Sequence, residues 1–183
     1  MLKHQSGMKA DGGLKMKESK DMNLRLKSHW VITCTGSDGQ EKWKEEQDNL
    51  IVTEGLTDLL DKYFKGSSYT ATWYVGLKDT GTALAADTMA SHSSWAEIVP
   101  YSDSNRPTLT LGTPSAGSVD NSASKASFTI NATDDVYGAF TTTNNTKSGT
   151  SGVLYGVVDF SSTRSVISGD TLEAQVTLTS ASA

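Results

Sequence analysis

The stretch Asn49–Leu77, NLIVTEGLTDLLDKYFKGSSYTATWYVGL, decides how the chain is read. In its first half, Leu56, Leu59, Leu60, Tyr63 and Phe64 recur at helical spacing, which predicts an amphipathic helix over about 53–65. Thr53 suits the N-cap, and Glu54 puts a negative charge in the first turn, where the helix dipole favours it. Gly66 suits the C-terminal stop. From Tyr69 to Lys78, Thr, Tyr, Trp and Val crowd together, the composition of a strand. The pattern predicts one helix laid against a β-structure.

Working outward, the flanks are strand-like. NLRLKSHWVITCT (23–35) and QEKWKEEQ (40–47) read as a hairpin turning at Gly36–Gly39, with Trp43 on one face of its second arm and charges on the other. Residues 79–94 form a long loop. Strands are expected at 95–101, at 108–112, briefly near Val119, and at 125–132 and 136–143, the last two joined by a tight turn at Thr133–Asp135. The run 152–161, GVLYGVVDFS, has little polar interruption and is expected to be a central strand. Residues 171–179 alternate Leu172, Ala174, Val176 and Leu178 with polar neighbours. The expected fold class is mainly β: an antiparallel β-sandwich or jelly roll with one packed α-helix and an extended N-terminal arm. Residues 1–22 form the arm and 23–183 the β-rich body.

Charge divides the chain the same way. Within residues 1–27, seven basic residues against three acids give +4, which leaves −9 for the rest of a chain whose net charge is −5. A basic arm on an acidic body suits contact with a negatively charged partner, or a solvated tail. Hydrophobic content is 36%, which makes a thin core and favours burial between subunits. The single cysteine, Cys34, excludes an intrachain disulfide and reads as a buried small residue. No apolar run reaches the ~20 residues of a membrane helix, and the basic N-terminus lacks the apolar run of a secretory signal. Folding in a reducing cytoplasm is expected, with no membrane or nucleic-acid partner.

Catalytic chemistry is not spelled out. His4, His29 and His92 are far apart, with no metal-ligand spacing, so neither a metal nor a cofactor is expected. Asp79, Asp87, Asp103, Asp134 and Asp135 could supply a carboxylate pair for glycoside hydrolysis, but acids in turns ordinarily bond the turn backbone. Trp30, Trp43, Trp73 and Trp95 could stack sugars, yet each lies in a strand-like run, where large aromatics fill a core or an interface. The chain has no P-loop, no GxGxxG and no GxSxG elbow. It does not read as an enzyme.

The segments NLIVTEGLTDLLDKYF, WYVGL, DTMASHSSWAEI, NRPTLTLG, FTINATDDVYGAF and SGDTL together resemble a family of tailed-bacteriophage virion structural proteins, over roughly Trp30 to Leu178. The resemblance implies a virion component, made in the host bacterial cytoplasm. A capsid cement or decoration protein is the leading expectation, with the major capsid protein and further copies of itself as partners. A tail or neck component, an adaptor or a fibre-attachment protein, is the alternative, and a carbohydrate-binding host-attachment module another. In the cement reading the arm grips the capsid through Lys9, Lys15, Lys17, Lys20 and Arg25, with Leu14 and Met16 as apolar anchors.

Overall fold

The computed structural model describes residues 24–69 and 72–182, which form eleven strands and one short helix. The arm over 1–22, with Lys9, Leu14, Lys15, Met16, Lys17 and Lys20, lies outside the described residues. The first sheet contains β1 (Leu24–Thr35), β2 (Glu41–Asp48), β7 (Ser118–Asp120), β8 (Ala126–Thr129) and β11 (Thr171–Ser182). Its order is β2-β1-β11-β7, with β8 also on β11. The second contains β3 (Leu50–Ile51), β4 (Trp73–Lys78), β5 (Glu97–Ile98), β6 (Thr108–Leu109), β9 (Asp134–Thr142) and β10 (Leu154–Val166). Its order is β3-β10-β9-β4-β5, with β6 on β4, and every pairing in both sheets is antiparallel.

Alternation places the core. Trp30, Ile32 and Cys34 of β1 point the same way as Leu172, Ala174 and Val176 of β11, because the two strands pair in register from Leu24↔Ser182 to Thr35↔Thr171. They meet Val75, Leu77, Val136, Ala139, Val158 and Phe160 of the second sheet in one cluster. The second sheet is also covered on its other face. Next to Ala139 and Val158, Phe140 and Val157 turn the opposite way and join Val52, Ala83, Met89, Trp95 and Leu154 in a separate small core.

This double burial explains the uninterrupted run 152–161. The strand it forms, β10, is not central; it lies one place from the edge, and its apolar character answers to two covered faces. The expected hairpin across Thr133–Asp135 is also absent: β8 pairs in the first sheet and β9 in the second, so the chain crosses between sheets there. The hairpin at Gly36–Gly39 forms as expected, closed by Gly36 N–H to Gln40 O, with Gly39 at φ +78°. The strand expected over 95–101 shrinks to β5 plus a single bridge, Tyr101↔Ile130.

The helix departs from expectation in an informative way. It is α-helical only over Thr53–Leu59 (α1) and continues as a π-helical turn over Leu60–Phe64. Its N-cap is Val52 rather than Thr53, with no side-chain cap, while Gly66 ends it at φ +75° as expected. The helix does not bury its apolar stripe. Gly55 is its buried residue, set so close to β10 that a Cβ there would lie 2.4 Å from the carbonyl oxygen of Tyr155. Leu56, Leu60, Tyr63 and Phe64 face outward, exposed by 40%, 57%, 78% and 70%.

Candidate interaction site

The helix is held on edge by Glu54. This first-turn carboxylate accepts the Leu154 N–H at 2.7 Å and the Met89 N–H at 3.0 Å, tying helix, β10 and the 79–96 loop together. The same loop is pinned by Asp87, which accepts the Leu84 N–H and the Trp95 indole N–H, each at 2.9 Å. With the sheet face already filled by this loop, the helix meets β10 through Gly55, Leu59 turns beneath it, and Leu56 and Leu60 turn to solvent.

Between the underside of the helical segment and the open end of the sheets lies an apolar cleft of about 370 Å³. Leu59 and Tyr63 form one wall, Tyr69, Trp73 and Tyr155 another, Leu109 and Leu178 come from the sheets, and Leu111 from the loop after β6. Trp73 meets Tyr155 edge-on, with ring centroids 5.4 Å apart, and donates its indole N–H to the Tyr69 hydroxyl at 3.2 Å. Burial raises the Tyr155 phenol above its ordinary pKa, and Tyr69 adds to the rise, so it stays a neutral hydroxyl. Polar groups are few: Asp58 and Lys62 on the helix, and Thr141, whose buried Oγ1 has no partner among the described residues. The lining can sort ligands by shape and apolar contact; it offers no nucleophile with an activating base.

The buried charges elsewhere act as clamps. Arg106 is fully buried; its Nε and Nη2 donate to the two oxygens of Glu97 at 2.8 and 2.6 Å. Its guanidinium also donates to Asn144 O and Gly149 O, fixing the 143–153 hairpin loop over Phe140. Lys78 donates to Asp159 at 2.8 Å and to Gly81 O at 2.6 Å, beneath the rings of Trp95 and Tyr137. Glu45 of β2 takes Arg164 and the Ser161 N–H, which fixes the register shift in β10 between Asp159 and Arg164. Burial works to raise the Glu45 pKa, but the hydrogen bonds from Arg164 and Ser161 outweigh it and hold the carboxyl below the usual range. Asp170 behaves alike: burial opposes ionisation, and bonds from Lys42 Nζ (2.6 Å) and the Ile167 N–H (2.9 Å) outweigh it.

The five turn aspartates are not brought together. Asp87 bonds its own turn at Leu84, as the turn reading expects, whereas Asp79 accepts the distant Ala96 N–H. Asp134 and Asp135 lie in β9, with Asp134 accepting the Asp135 N–H and Asp135 taking the Ser165 hydroxyl across the pair with β10, and Asp103 is exposed. His29 lies on β1 between Glu46 and Asp48, at 3.3 and 3.0 Å, and His92 stacks on Trp95 in the loop. Among the described residues, no group of His, Cys, Asp and Glu is placed to hold a metal ion, and no helix is long and apolar enough to cross a membrane. Trp30 and Trp95 are buried; Trp43 and Trp73 pack partly against the core.

Of the expected contact residues, Arg25 is the one the structure describes. It belongs to β1, paired with Ala181, so it is a solvent-facing strand residue rather than part of a free arm. The cleft residues from the sheets, Leu109, Leu111, Thr141, Tyr155 and Leu178, had no signal of their own in the sequence. Apart from Leu111, in the loop after β6, they are ordinary strand positions made into a site by the gap beside them. No family model, curated protein or solved structure matches the chain.

Proposed function

We propose that the chain is a structural protein of a tailed-bacteriophage virion, a capsid cement or decoration protein that binds the major capsid protein and stabilises the assembled shell. The observation that carries this reading is the outward apolar face of the helical segment on a body whose buried charges are engaged in clamps. Monomers rarely leave a contiguous apolar patch of several hundred Å² in water without using it for contact. In this reading the body is a β-sandwich, its sheets closing on the shared core. The arm over 1–22, with its lysines and with Leu14 and Met16, adds contacts across neighbouring capsid subunits, and shell stability follows by mass action. The protein resides in the virion and needs no cofactor.

The test is cosedimentation with purified phage heads lacking this protein. Full-length chain is expected to pellet with the heads and to raise their disruption temperature. A chain lacking residues 1–22 should stay folded and lose binding. Failure of the full chain to bind heads overturns the reading, and normal occupancy by the truncated chain overturns the role of the arm. Hundreds of copies per virion support the head surface; about a dozen would move the protein to the neck or tail.

A second reading has its own observation. Tyr63, Tyr69, Trp73 and Tyr155 line an open cleft, as sugar-stacking side chains do in host-attachment modules. Specific binding on a glycan array, lost in Trp73→Ala, would favour it over the cement role.

A further inference from the structure

The apolar cleft lies at the end of the sheets where β1 begins. Leu178, in its lining, is four residues from Ser182, and Ser182 pairs with Leu24, so the start of β1 is about 14 Å from the cleft along the strands. Alternation puts Leu24 and Leu26 on the same side of β1 as the core residue Trp30, yet Leu24 is 63% exposed. Leu26 and Leu178 are diagonal neighbours across the β1–β11 pair. Leu24, Leu26 and Leu178 thus form an apolar path from the first described residue into the cleft. In the sequence before that residue, Leu14, Lys15, Met16 and Lys17 alternate apolar and charged.

We propose that the cleft seats Leu14 and Met16 of the chain's own N-terminal arm. The inference goes beyond the virion reading and concerns the chain by itself; on a head, the arm leaves this seat to reach a neighbouring capsid subunit. Length allows it. Met16 is eight residues before Leu24, a reach of about 26 Å, nearly twice the distance back to Leu178. Ser19, Asp21 and Asn23, in between, are residues that turns use. Volume allows it too: an apolar cavity of about 150 Å³ takes one benzene-sized group, so a cleft of about 370 Å³ takes the two side chains. In an extended segment Leu14 and Met16 point to one side, toward Leu59, Leu109, Leu111 and Leu178, and Lys15 and Lys17 to the other. Charge agrees, since residues 1–27 carry +4 against −9 on the rest. At the cleft itself Lys62 is drawn to Asp61, 3.7 Å away, while Asp58 makes no ion pair among the described residues and is left for a lysine beside the seated pair. A short tether holds a chain's own arm near its cleft at about millimolar effective concentration, so at micromolar protein it outcompetes a neighbour's arm.

The test uses the full chain. Cys34 is buried, so Lys17→Cys supplies the one accessible thiol for a nitroxide label. The label should broaden the amide resonances of Leu111, Tyr155 and Leu178 and spare those of Thr35, Val166 and Thr171 at the opposite end of the sheets. Leu14→Asp with Met16→Asp in the labelled chain should abolish the broadening. Broadening that is absent, that reaches both ends alike, or that survives the two aspartates overturns the proposal. So does broadening in isotope-enriched chains without the nitroxide when nitroxide-bearing chains are mixed in, because a neighbour's arm then fills the cleft. Head binding is read separately: a seated arm on a chain that ignores heads refutes the virion reading alone, and an unseated arm on a chain that decorates heads refutes the seat alone.

Discussion

Replacing Arg106 with Met tests whether the buried clamps hold this fold. The guanidinium has no exposed surface, and Glu97 beneath it is 5% exposed. Met fills the same volume over Phe140 but leaves a carboxylate with no cation and takes the donors from Asn144 O and Gly149 O. Breaking one partner of a buried pair costs about 3–5 kcal/mol, and here the orphaned carbonyls sit in a loop that water can reach. For a chain of this length each kcal/mol moves the melting temperature by about 2–4 °C, so a fall of roughly 6–20 °C is expected. Urea unfolding followed by tryptophan emission gives the free energy directly. The double variant Arg106→Met with Glu97→Met buries no lone charge, so its loss should not exceed that of the single variant. The reasoning fails if Arg106→Met costs under about 1 kcal/mol, or if the two single losses simply add.

Gly55→Ala should push the helix off β10, because the new Cβ would sit 2.4 Å from Tyr155 O; a loss of about 1–3 kcal/mol in urea is expected, and no loss would mean the helix does not dock there. Asp170 and Glu45 have depressed pKa values in the fold, so their stabilisation is complete above their unfolded values near 4 and drains as pH falls through the folded ones. Asp170→Asn should therefore lower the urea midpoint at neutral pH and flatten its decline in acid; parallel curves for the two proteins would refute this. Burial, then the charge of Asp170, pushes the Cys34 thiol up to about 11, so thiol reagents at about pH 8 should label it only after denaturation. Rapid labelling of the native chain would contradict that.

The sequence is most legible where one face of a strand is buried and the other wet. The alternation Leu172, Ala174, Val176 and the hairpin closed at Gly36–Gly39 read directly, because period 2 and turn chemistry are local. Cys34 as a buried strand residue read equally well. The run 152–161 is harder: two covered faces erase the alternation, and an apolar strand one place from the edge then looks like a central one. Pairings such as Arg106 with Glu97, or Lys78 with Asp159 eighty-one residues away, leave no local trace. The same holds for the cleft, whose lining comes from five separate segments.

The helix teaches the sharper lesson, since its period was right and its burial was not. Spacing tells which residues share a face, but not what that face meets. Here the 79–96 loop fills the outer side of the second sheet with Met89 and Trp95, and Glu54 fixes the helix against that loop. Only Gly55 is small enough for the remaining approach. An isolated helix this short is marginal in water, so docking rather than propensity keeps it folded, and docking uses the side opposite Leu56 and Leu60. Gln or Lys at position 60 would keep the helix propensity of Leu and leave the monomer's two cores untouched. The stability of a lone chain therefore gives no reason for Leu60 or Phe64 to be apolar. Contact with another surface does, and Leu56, Leu60, Tyr63 and Phe64 are the residues the docked helix leaves free to make it.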